Sequence, residues 1–124
     1  MTRDENPKHY DLEDRTFRLA QNVRAFVRQL PRTLSNIEDV KQLVRASGSV
    51  GANYIEANEA LSKKDFVMRA KICRKEAKEG SFFLRLLYAA ETKELEAIRA
   101  ALIQEAAELT SIFGAIVRKA EGNR

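Results

Sequence analysis

Carboxylates and cations are the only chemistry-bearing side chains that recur at helical spacing in this chain. Glu56-x-x-Glu59 and Glu76-x-x-Glu79 each set two carboxylates on one helical face. A carboxylate-bridged metal site in a bundle needs Glu-x-x-His pairs as well, and the single histidine, His9, lies in a polar leader. An all-carboxylate site from Glu56, Glu76 and Glu79 is the arrangement left over, and no metal or other cofactor is expected. No nucleophile–base pair can be assembled without a structured histidine, and no Gly-x-x-x-x-Gly-Lys phosphate loop occurs. Gly48-Ser-Val-Gly51 matches the GXXG of a KH domain only superficially, because that loop needs a β-sheet scaffold. The expectation is a protein without enzymatic activity.

The cations are more suggestive. Lys64, Lys71, Lys78 and Arg85 recur every seven residues and so fall on one line of a helix, with Arg74 and Lys75 beside it. Residues 63–90 carry eight basic and three acidic side chains, a net +5 where the whole chain has +4. Arg24, Arg28 and Arg32 form a second row at i, i+4 spacing. A face of this kind can neutralise the phosphates of RNA or DNA without reading bases. The alternative is an ordinary solvated face on a structural adaptor whose partner is a protein. Phe82, Phe83 and Tyr88 read as packing residues rather than as stacking platforms.

Helices must present these groups. With two prolines, five glycines and no tryptophan in 124 residues, the chain reads as all-α. Residues 1–10 read as a flexible leader without an apolar signal region, and 11–121 as one domain. Helices are expected at about 11–31, 36–61, 63–91 and 93–120, capped by Asp11, Ser35 with Glu38, Ser62 with Asp65, and Thr92. The first buries Leu12, Thr16, Leu19, Val23, Phe26 and Leu30; the third buries Phe66, Ala70, Cys73, Ala77, Gly80, Leu84 and Leu87. Short connections imply an antiparallel up-down-up-down left-handed four-helix bundle. The lone Cys73 excludes an intrachain disulfide, and no apolar run approaches a membrane span. A cytoplasmic protein with no membrane partner is expected.

The second helix breaks its own pattern. Ser47, Gly48, Gly51 and Ala52 interrupt its apolar stripes, and each interior glycine costs about 1 kcal/mol relative to alanine. Close approach of a neighbouring helix must offset that cost. Asn53 sits between Val50 and Ala57, while Glu76 and Glu79 sit between Ile72 and Phe83 on the next helix. These residues predict a buried network in which the Asn53 amide donates to a glutamate, joined by Ser49 and Glu56. Its role would be helix register or subunit pairing. Surplus apolar positions (Phe17, Ala20 and Val27; Ile103, Ala106, Phe113 and Val117) predict self-association.

Residues 45–66, RASGSVGANYIEANEALSKKDF, followed by KICRKEAKEGSFFLRLL, resemble the four helix bundle protein family, also called 23S rRNA intervening-sequence proteins. The resemblance spans about 11–120 and is most specific at Ser47-x-Ser49-x-x-x-Asn53-x-x-Glu56 and Lys75-Glu76-Ala77-x-Glu79. Gly80 and Phe83 depart from its usual hydroxyl residue and tryptophan. The resemblance implies a homopentameric ring with no known enzymatic activity. A relative similar in fold, the accessory variability protein of diversity-generating retroelements, is a basic pentamer that works with a reverse transcriptase and binds nucleic acid. By that analogy the expected partners are further copies of the chain and a nucleic-acid backbone.

Overall fold

The computed structural model describes residues 7–122, with side chains from Leu12 onward; within them lie four helices and no strand. They are α1 (Pro7–Val27), α2 (Leu34–Asn58), α3 (Lys63–Leu86) and α4 (Lys93–Ala120). Each packs against its neighbours in sequence, α4 closes onto α1, and diagonal pairs do not approach one another. That is an antiparallel up-down-up-down four-helix bundle.

All six positions read from the α1 periodicity are buried, and so are Ala70, Cys73, Ala77, Gly80, Leu84 and Leu87 along α3, but Phe66, in the first turn of α3, is only half-buried and lies outside the core. On α4 the surplus residues Ala106, Phe113 and Val117 prove to belong to the core, with the Phe113 ring edge-on to Tyr54 at 5.7 Å. A helix packed on two neighbours buries a broader face than one seam provides. Phe17 stays outside, 61% exposed. The small residues of α2 do bring a helix close. A methyl group on Gly51 would lie 3.0 Å from Thr16 Oγ1 and 3.3 Å from Thr16 Cβ.

Five helix ends depart from expectation. α1 begins at Pro7, not Asp11, because a proline is well placed in a first turn whose N–H groups lack partners; Met1–Asn6 lie outside the described residues. It ends at Val27, where bonds from Gln29 N to Phe26 O (3.0 Å) and Leu30 N to Val27 O (3.2 Å) tighten the chain ahead of Pro31. Thr33, not Ser35, caps α2, its hydroxyl accepting from Asn36 N at 3.1 Å. α2 stops at Asn58, three residues short of the expected 61, and both Asn58 and Leu61 are exposed. α3 stops at Leu86, because Leu87 turns extended (φ −67°, ψ 143°), and Ala90 and Glu91 then adopt left-handed φ of 55° and 56° in the turn to α4. The Ser62 and Asp65 cap stands as read, with Ser62 Oγ accepting from Asp65 N at 3.1 Å. Thr92 occupies the N-cap position of α4 but makes no side-chain capping bond.

Buried polar groups tie the loops down. Asn36 Nδ2 donates to Pro31 O (2.9 Å) and Tyr88 O (2.8 Å), and its Oδ1 accepts from Tyr88 N (2.9 Å), locking the two loops at one end together. Arg99 Nη1 donates to Leu84 O at 2.8 Å and Leu87 O at 2.6 Å, placing a cation on the carbonyl end of α3. The α1–α4 seam is the most sparsely packed. Arg15 forks across it onto Glu105 at 2.9 and 2.7 Å, with Glu108 at 3.0 Å.

α4 contains a stretch long and apolar enough to cross a membrane by length and composition, with mean hydropathy 1.4. The expectation that no run approaches that length is corrected here. In the bundle, α4 forms one wall and buries Leu95, Leu102, Leu109 and Phe113.

Candidate nucleic-acid interface

The outer face of α3 is set by its inner one. Ser62 fixes the first turn, and the Ala70, Cys73, Ala77, Gly80, Leu84 line fixes the rotation by burial. The residues on the opposite side of that helix must then face outward. Lys64, Lys71, Lys75, Lys78 and Arg85 are exposed and Arg74 is half-buried, so all six cations lie on or beside one face.

Lys71, Arg74, Lys75 and Lys78, with Glu79 at the edge, line a shallow recess of about 450 Å³. Lys71 Nζ is 3.1 Å from Glu121 Oε2, and Lys75 Nζ is 3.8 Å from Glu76 Oε2. Lys64, Arg74, Lys78 and Arg85 make no ion pair with any described residue. Packing adds a cation that the sequence pattern missed. A methyl on Gly114 of α4 would lie 3.4 Å from Arg118 Nη1 and 3.7 Å from Arg74 Cδ, so the two arginines flank one glycine. The basic last turn of α4, Arg118 and Lys119, was the available signal.

The predicted polar network is not one network, and it is mostly not buried. Asn53 Nδ2 donates to Ser49 O and Oγ, both at 2.9 Å, and its Oδ1 accepts from Arg69 Nη1 at 2.9 Å. No glutamate takes part. Glu76 and Glu79 instead meet Arg45 of α2, with Glu76 Oε2 accepting from Nη1 at 3.4 Å and Glu79 accepting from Nη2. These carboxylates hold the Arg45 guanidinium above its ordinary range, Glu76 contributing most. Glu56 is exposed and belongs to neither group. An arginine outcompetes a neutral amide for a carboxylate, since charge-assisted bonds are about twice as strong. Neither Arg45 nor Arg69 stood out from spacing alone.

Glu76 is the one deeply buried member, 5% exposed, and its Oε1 has no hydrogen-bond donor. Arg45 Nη2 stands 3.4 Å away and supplies the compensating charge. Among the described residues no three His, Cys, Asp or Glu side chains converge, so Glu56, Glu76 and Glu79 do not form one cluster.

The aromatics also divide. Phe83 is half-buried and packs on the core as expected, but Phe82 and Tyr88 are each 51% exposed, so they are not packing residues. The thiol of Cys73 is sealed in, its Sγ 3.4 Å from Val50 O, and burial pushes it up to about 12.

The fold and this face define an all-α bundle with a cationic helix on its surface. The chain belongs to the 23S rRNA-intervening sequence protein family, whose family model matches residues 8–115. Its fold is similar to the crystal structure of a protein of unknown function from the S23 ribosomal protein family of Bacteroides thetaiotaomicron. The two share 27% identity and a TM-score of 0.74, over 86% of this chain and 98% of that one. No curated protein matches this chain.

Proposed function

We propose that this protein is a non-catalytic accessory that binds the phosphate backbone of nucleic acid through the outer face of α3. The observation that carries the reading is the recess of Lys71, Arg74, Lys75 and Lys78, two of whose cations have no acidic partner among the described residues. Such a surface attracts any polyanion and releases counterions on binding. The names borne by the family and by the Bacteroides protein refer to 23S rRNA and to a ribosomal protein family, which supports RNA as the polymer. Reversing charge at Lys71 and Lys78 together tests it. RNA and DNA affinity should fall steeply at moderate salt, with a log–log salt slope smaller by about 2. Unchanged affinity for both polymers would end this reading.

The same proposal includes self-association, with the homopentamer of the family resemblance as the expected state. An apolar groove of about 730 Å³ between α1 and α2 supports it, floored by Gly48, Gly51 and Ala52 and walled by exposed Phe17 and Ile55. That groove also favours the adaptor reading, in which a different protein fills it. Pull-down with and without nuclease separates the two. A partner retained after nuclease favours the adaptor.

A further inference from the structure

Phe82 has no role in the core and none in phosphate binding, yet it lies in the middle of the cationic face. Lys71, Lys75, Lys78, Phe82 and Arg85 follow one another at steps of four, three, four and three, and all five are exposed. The ring therefore has a lysine about one turn before it and an arginine about one turn after it, at 5.4 Å per turn. It is not loose. Its edge-to-face contact with Phe83, at 5.2 Å between centroids and 81° between planes, ties it to a residue packed on the core. Half of its surface is left in solvent.

From this juxtaposition we infer that Phe82 is a base-stacking platform and that the ligand of the α3 face is single-stranded nucleic acid. This rests on the phosphate-binding reading and names its substrate class. Stacking on an aromatic ring needs an unpaired base with an accessible π-face, which a duplex does not offer. Cations on either side of the ring would hold the phosphates flanking that base. A protein partner seated here would have to desolvate Lys75, Lys78 and Arg85, and lysine is depleted from the cores of protein interfaces. A polyanion instead neutralises them.

The test compares labelled oligo(U), oligo(dT) and a duplex of matched length, bound by the wild type, Phe82→Leu, Phe82→Trp and Lys71→Glu/Lys78→Glu. Phe82→Leu keeps an apolar group but removes the ring. It should lower single-strand affinity roughly 5- to 150-fold and leave duplex affinity nearly unchanged. Phe82→Trp should preserve or raise single-strand affinity. A loss confined to one of the two single strands still supports the platform and identifies which of these two polymers it prefers. Equal losses on duplex and single strands, or no loss on either, would overturn the inference. So would a fall in assembled mass with Phe82→Leu, since the ring would then be a subunit contact. The double charge reversal keeps the two readings apart. If it abolishes binding while Phe82→Leu does nothing, only the stacking role fails; if it changes nothing, the phosphate reading fails with it.

Discussion

At the residue scale, Gly51 and Gly80 look alike in sequence and differ in space. Both interrupt apolar helix stripes. At Gly51 a methyl would press on Thr16, whose hydroxyl is already committed to Leu12 O at 2.7 Å and whose branched Cβ cannot swing away. At Gly80 the nearest atom is Leu43 Cδ1 at 4.0 Å, an ordinary contact. Alanine gains about 1 kcal/mol of helix propensity at either site, while overpacking costs about 1–3 kcal/mol where it occurs. Gly80→Ala should therefore raise the urea midpoint and Gly51→Ala should lower it. A stabilised Gly51→Ala variant would contradict the close-approach account of α2. Cys73 gives a simpler expectation. With its thiol sealed and pushed up to about 12, it should resist alkylation at pH 8 in the folded protein and react only once urea opens the core.

At the scale of elements, the weak points are the α3–α4 turn and the α1–α4 seam. Ala90 and Glu91 both hold left-handed φ, which costs about 1–2 kcal/mol for a residue with a Cβ. Glycine relieves that cost but loses more chain entropy, so Ala90→Gly should stabilise by about 0.5–1 kcal/mol in chemical denaturation. The seam should respond to acid. The hydrogen bond from Gln104, followed by that from Arg15, holds Glu108 below its usual carboxylate range. A depressed acid contributes stability that is fully present above the usual carboxylate range and is lost as pH falls from there through its lowered folded-state value. The melting temperature should fall on acidification, and Glu108→Gln should shrink the α1–α4 part of that fall. Identical pH profiles for variant and wild type would rule out Glu108 as an acid-sensitive element, since the variant keeps the Arg15–Glu105 pair.

At the scale of the whole molecule, the cationic face and the uncovered apolar surfaces bear on each other. A chain with net +4 repeated around an assembly presents a stronger field to a polyanion than one copy does. Light scattering should give a mass that is a multiple of 14.1 kDa, about five chains. Phe17→Glu, on the wall of the α1–α2 groove, should shift that mass toward the single chain. A wild-type protein that scatters as one chain at micromolar concentration would remove self-association, and with it any avidity in nucleic-acid binding.

Periodicity and punctuation were enough for the number of helices, their order and most inward positions, because apolar burial is strong and repeats every 3.6 residues. The Leu12 to Leu30 line and the Ala70 to Leu87 line could be read residue by residue. So could the six basic residues, since fixing the buried side of α3 fixes the other side too. Partners across the bundle could not be read. Asn36 finds Tyr88, Arg45 finds Glu76 and Glu79, Arg69 finds Asn53, and Arg118 comes beside Arg74 only after the helices have packed. Phe82 was legible in the same way as the six basic residues, since steps of four, three and four from Lys71 put it on the outer line of α3, and its type, not its spacing, is what suggests packing. Spacing along one helix is a local property of the chain, whereas which polar group meets which is chosen by competition among all the groups that folding brings within reach.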